Sequence, residues 1–267
     1  MQKNVLLIGA SGLIGSELVQ LLLRDDKIKT IKVFVRKSLA ITDQKLIEIL
    51  VDFEHLEDFK HEFQGDALFC CIGTTRKKTP DLAAYKAIDY GIVLAAANLA
   101  RSNQVPQVHL VSAIGAAVSS KIFYNRLKGE IEKDVLKLDF PSTVIYQPAM
   151  LIGKRSESRP SEFIAQTLMP FFDLFLLGKA QKYHSIEAKK VAESMLDNLH
   201  KPQKGACVLQ YEKMITSPVA NNTDNYRSMP PFIGLPLQSD KQGINIKLIL
   251  KLQENVRRFL TTFEHWN

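Results

Sequence analysis

The chain has 267 residues, 46% of them hydrophobic and 24% charged, enough apolar material to bury a core without disulfide or metal staples. Its net charge of +7 is scattered, with no basic run longer than Arg76-Lys77-Lys78, so nucleic acid is not an expected partner. The start of the chain does not read as a signal peptide, and the densest apolar window, 168–177, is broken by Pro170 and Asp173, so no membrane span is expected either.

Taken in chain order, residues 5–8 predict a buried strand and 13–24 an amphipathic helix with Ile14, Leu18, Leu21 and Leu22 on one face. Strands follow at 31–35, 46–51 and 67–72, then a helix over 82–101. A strand at 108–111, a helix over 122–138 and a strand at 143–146 continue the alternation. A helix over 185–200 and a strand at 206–209 close it. Strands that are apolar throughout are buried on both faces. With helices between them, they predict an α/β fold of the Rossmann type: a doubly wound parallel sheet, helices on both sides, ligand at the carboxyl ends of the strands. Residues 1–215 are expected to form this domain, with 153–182 building the substrate side. The segment 216–267 begins as a linker rich in Pro, Asn and Ser. It ends in a helix over 246–263 that carries Ile249, Leu252, Val256, Phe259 and Phe263 and packs on its own domain, on a second copy or on a protein partner.

The first strand leads into Gly9-Ala-Ser-Gly12-Leu-Ile-Gly15, which opens the first helix. Glycines there permit a sharp turn and a close backbone approach, and the helix N-terminus offers free N–H donors to an anion such as a diphosphate. The second strand ends Val35-Arg36-Lys37 rather than on an acidic residue. A guanidinium suits a 2′-phosphate, so NADP(H) is expected over NAD(H). Asp52, next to Phe53 at the end of the third strand, is a candidate for the adenine amino group. Gly73 and Thr74 suit a backbone passing close to the ribose and nicotinamide.

Ser112 ends the fifth strand, and Tyr124 and Lys128 stand four apart in the following helix, so they share a face. An ammonium near the phenol is expected to lower its pKa towards working pH, as a general acid/base requires. Ser112 is then placed to hydrogen-bond the substrate oxygen. Cys70, Cys71 and Cys207 are odd in number and lack metal-ligand spacing; they point to buried thiols, a reducing compartment and the cytoplasm. His184, lone in its stretch, reads as structural before it reads as a substrate contact.

The glycine pattern and the Ser112, Tyr124, Lys128 set resemble short-chain dehydrogenases/reductases, and the GxxGxxG spacing their extended and atypical branches. The stretches Phe69-Cys-Cys-Ile-Gly-Thr-Thr-Arg76, Tyr124 through Lys128-Gly129-Glu130, and Glu157-Ser-Arg-Pro-Ser-Glu162 resemble the Tat-interactive-protein family of atypical members, over about residues 3–200. That resemblance implies NADPH binding. By it, Gly9, Ser11, Gly12, Leu13 and Ile14 line the diphosphate, and Arg36 meets the 2′-phosphate. Gly73 and Thr74 pass the ribose, Lys128 holds the nicotinamide ribose, and Pro148, Met150 and Leu151 flank the nicotinamide. Asp89 departs from the pattern, standing where many short-chain members place Asn. Three functions follow: an NADPH-dependent oxidoreductase acting on a small carbonyl substrate, an NADP(H)-binding regulator with little turnover, and a nucleotide-sugar epimerase or dehydratase, against which Arg36 argues.

Overall fold

A computed structural model of the chain describes residues 1–153 and 183–216. The expected substrate-side segment from 154 to 182, with its Glu157–Glu162 stretch, lies outside the described residues, as do the linker from 217 and the helix over 246–263.

Seven parallel strands form one sheet. They are β1 (Lys3–Ile8), β2 (Ile28–Val35), β3 (Leu46–Leu50), β4 (Ala67–Cys70), β5 (Gln107–Val111), β6 (Ser142–Tyr146) and, last among the described residues, β9 (Gly205–Leu209). Their spatial order is β3-β2-β1-β4-β5-β6-β9, so the chain winds outward from β1 in one direction, returns, and winds outward in the other. The gap between β1 and β4 is the point where that direction reverses. Ligands of such sheets sit there, beyond the carboxyl ends of the strands.

Alternation along each strand divides the core in two. Val5 and Leu7 of β1 face helices α1 (Leu13–Arg24) and α5 (Ala188–His200); Leu6 and Ile8 face the opposite side. That other side is covered by a 3₁₀ segment (Phe53–Glu62), by α3 (Val93–Ser102) and by α4 (Phe123–Leu136). On α1 the expected face is buried at Ile14, Leu18 and Leu22, with Leu21 half-buried. Both faces of the central strands are therefore dry, which is why β1 and β4 read as unbroken apolar runs, while the edge strands β3 and β9 are partly exposed.

The helix expected over 82–101 has an internal irregularity. It starts as α2 (Leu82–Lys86), passes through a π-helical turn (Ala87–Ile92) and continues as α3. Asp81 caps it by accepting the Ala84 N–H at 2.7 Å. The helix expected from 185 begins only at Ala188, because β8 (Ile186–Glu187) pairs with β7 (Leu151–Ile152) in a small second sheet. The strand expected at 67–72 ends at Cys70, where the chain turns past Gly9. A short helix α6 (Tyr211–Ile215) follows β9.

His109 lies wholly inside this core, stacked on Phe69 with ring centroids 4.5 Å apart and Nδ1 3.1 Å from the Tyr146 hydroxyl. Burial, helped by the charge of Lys3, holds its imidazole down at about 3. The unfolded chain takes up that proton near pH 6.5. Stability is therefore full above about pH 6.5 and is lost as pH falls towards 3, by about 2 kcal/mol at pH 5. In His109→Asn the loss of stability between pH 7 and pH 5, read by denaturant unfolding, should shrink by about that amount. Equal losses in the variant and the wild type would refute it.

Candidate active site

Gly9 has φ +86°, and a Cβ added there would lie 2.5 Å from the backbone carbon of Cys71 and the nitrogen of Ile72. A Cβ at Gly15 would run into the Gly9 carbonyl oxygen. These two glycines let α1 start directly against the ends of β1 and β4. Gly12 is the N-cap of α1, no side chain caps the helix, and its first turn holds no acidic residue. The leading N–H groups and the positive end of the helix are thus left to an anion from outside. Ile14 is buried behind this turn, Leu13 is half-buried, and Ser11 is exposed on its rim.

Beside the turn opens a cleft of about 430 Å³ whose walls include Ala10, Ser11, Gln20, Ser38 and Leu39. Arg36 follows the last residue of β2, is exposed, and makes no hydrogen bond or ion pair with the described residues. A diphosphate at the uncapped helix and a phosphate near Arg36 would fit these groups. Asp52 is exposed beyond β3, and one of its oxygens caps the 3₁₀ segment by accepting the Glu54 N–H at 3.0 Å; Phe53 beside it is half-buried.

On the far side of β4 the chain gathers a second group. Asp89, in the π-helical turn, is buried, with Oδ1 3.0 Å from Lys128 Nζ and Oδ2 accepting the Thr74 N–H at 2.7 Å. A Cβ at Gly73 would lie 3.5 Å from the same carboxylate, so Asp89 ties the Gly73-Thr74 loop to α4. The Tyr85 hydroxyl donates to the Thr74 carbonyl at 3.2 Å. Lys128 Nζ sits 5.9 Å from the centre of the Tyr124 ring, as the shared helix face requires.

Two expectations change here. The Tyr124 pKa is raised, not lowered: burial pushes it up, Lys128 pulls it down, and Asp89 pushes it up again. For Lys128, burial works against the charge, but Tyr124 and Asp89 outweigh it and the pKa rises. The second change concerns Ser112. Its hydroxyl donates to Glu132 Oε1, and among the described residues no hydrogen bond joins it to Tyr124. Glu132 also accepts from Gln147 Nε2 at 2.9 Å, and Gln210 Nε2 donates to Gln147 Oε1 at 3.0 Å. Burial raises the Glu132 carboxyl against the pull of Ser112, Gln147 and Lys128.

The segment after β6 is fixed from both sides. Pro148 O accepts the Ile114 N–H at 3.0 Å, and Met150 O accepts the Ile186 N–H at 2.8 Å. Leu151 lies in β7, and a Cβ at the nearby Gly153 would come within 2.7 Å of Leu13 Cδ1. The expected nicotinamide wall therefore borders the glycine turn. His184 packs edge-on against Tyr211 with centroids 5.0 Å apart. Burial raises the Cys70 thiol to about 12 and pushes Cys71 up as well, so neither offers a thiolate. Among the described residues no group of His, Cys, Asp and Glu could hold a metal, and no helix is long and apolar enough to cross a membrane.

The chain is similar to known proteins. Residues 9–137 match a family described as NAD(P)H-binding. The rat protein HTATIP2 is 33% identical over 217 residues, covering 80% of this chain and 88% of that protein. The Candida albicans protein named FMP52, mitochondrial, is 36% identical over 171 residues, covering 62% of this chain and 75% of that protein. Among solved structures, a UDP-N-acetylglucosamine 4-epimerase from Methanobrevibacter ruminantium superposes with a TM-score of 0.61 at 15% identity, over 78% of this chain and 76% of that one. MoeE5, in complex with UDP-glucose and NAD, gives 0.59 at 17% identity, over 82% of each chain. These two structures share the fold.

Proposed function

The chain belongs to the NAD(P)H-binding, atypical short-chain dehydrogenase/reductase family that includes HTATIP2, and we propose that it is an NADPH-dependent oxidoreductase that reduces a small carbonyl compound. The observation that carries this reading is the half-buried Tyr124 beside the buried Lys128–Asp89 pair, placed across β4 from an uncapped glycine turn.

Backbone N–H groups from Gly9 to Ile14 would hold the diphosphate, Arg36 the 2′-phosphate, and Gly73 and Thr74 the ribose, with Pro148, Met150 and Leu151 flanking the nicotinamide. When bound, the reduced dinucleotide supplies hydride to the carbonyl carbon and leaves oxidised. Tyr124 donates its phenolic proton to the carbonyl oxygen, so the product is an alcohol. Lys128 fixes the phenol from the turn below. To orient the substrate oxygen, the Ser112 hydroxyl would turn its one proton from Glu132 to that oxygen. The three free cysteines support a reducing location, for which we propose the cytoplasm; fractionation of cells expressing the tagged full chain tests it.

The functional experiment is NADPH oxidation over a panel of aldehydes and ketones by the wild type and by Tyr124→Phe. Loss of turnover with retained NADPH binding supports the assignment, and equal rates overturn it.

A further inference from the structure

Asp89 stands in the one π-helical turn of the described helices, a device that inserts a residue into the helical repeat and is frequent at functional sites. Its ion pair with Lys128 is closed to water, with side chains 1% and 5% exposed. A carboxylate 3.0 Å from an ammonium in so dry a place weakens the field of that ammonium at a third group. That third group is Tyr124, whose ring centre lies 5.9 Å from Lys128 Nζ. An unopposed ammonium at this range would draw the phenol towards phenolate. The other titratable groups near the pair are Tyr85 from α2, the Cys70 thiol at the end of β4, and Glu132, one turn beyond Lys128 on α4; Arg76, in the loop after β4, acts on Tyr85. Among these groups, Asp89 is the one in direct contact with the ammonium.

Resting on the reductase reading above, we propose that Asp89 is a positioning residue that offsets part of the Lys128 charge and so helps keep the Tyr124 hydroxyl protonated at neutral pH, so that the site favours carbonyl reduction over alcohol oxidation. Reduction needs a phenol that gives a proton to the carbonyl oxygen while the dinucleotide is oxidised. Oxidation needs a phenolate that takes the alcohol proton while the dinucleotide is reduced. By withholding phenolate, Asp89 slows the second direction and leaves the first supplied. Burial is the main reason that the Tyr124 pKa is raised; Lys128 opposes it, and Asp89 adds a smaller upward push in the direction this geometry requires.

Asp89→Asn keeps the shape of the side chain and an oxygen for the Thr74 N–H while removing the charge. Ultraviolet titration of tyrosinate, taken as the difference between each protein and the same protein carrying Tyr124→Phe, reads Tyr124 directly. The Asn variant should titrate about 1–2 pH units below the wild type, and alcohol oxidation with NADP+ at neutral pH should rise about tenfold for each unit. An unmoved titration would mean that Asp89 is only a staple for the Gly73-Thr74 loop, and would overturn the proposal. If the Asn variant does not fold, the wild-type difference titration still decides. Tyr124 must stay protonated up to at least the ordinary tyrosine range; a phenolate forming near neutral pH overturns the proposal. The titration needs no substrate. A shift seen without turnover on any carbonyl would therefore sink the reductase reading and leave the charge balance standing.

Discussion

Tyr124→Phe is expected to lower the rate of carbonyl reduction by about 10²–10⁴-fold, the usual contribution of a positioned general acid, while the NADPH dissociation constant stays within a few-fold. The substitution removes one hydroxyl and keeps the ring. The packing of that ring above Lys128 and the Lys128–Asp89 pair beneath it should survive, so a folding defect is not the expected cause of the loss. Steady-state rates and a binding titration on the same preparation separate the two effects. If the variant kept most of its rate, the proton would have to come from elsewhere. The half-buried Glu132, hydrogen-bonded to Ser112, would be the next donor to test.

Arg36→Ala carries the second large effect. It should weaken NADPH by about ten- to a hundredfold, the scale of one or two hydrogen bonds to a charged group, and leave NADH nearly unchanged. Arg36 is exposed and bonds to none of the described residues, so its removal should not disturb the fold. The contrast between the two cofactors should also narrow at high salt, because the interaction is between exposed charges. Equal losses for NADPH and NADH would remove Arg36 from the 2′-phosphate and reopen the choice of dinucleotide.

Much of the architecture was legible because it depends on local pattern. Strands buried on both faces are apolar throughout, and the spacing of Ile14, Leu18 and Leu22 together with Gly9, Gly12 and Gly15 marks α1 and the turn before it to the residue. The small sheet of β7 and β8 was not legible, since two residues in each strand leave no period to detect. Nor was the π-helical turn: it rests on hydrogen-bond geometry within an otherwise regular helix.

The candidate site shows the same division. Tyr124 and Lys128 stand out through their spacing, which needs only the helix to be known. Their electrostatic state depends on Asp89, remote in sequence and brought under Lys128 by the π turn, so the direction of the tyrosine shift could not be read in advance. Glu132 stands in the sequence as one charge among Glu130, Lys133 and Asp134 and drew no expectation. Extending the Tyr124 and Lys128 spacing by one further turn would have singled it out, because position 132 falls on the same face. The hydrogen bond from Ser112 to that carboxylate depends on how β5 meets α4, which no local pattern encodes.

The most direct test is the consumption of NADPH by wild-type protein across a panel of small aldehydes and ketones, followed by nicotinamide absorbance with the alcohol product quantified. The account predicts turnover on at least one of them, with one alcohol formed for each NADPH consumed. Tight NADPH binding with no turnover on any carbonyl would contradict it, and would mark the chain as a protein that holds the dinucleotide without using it.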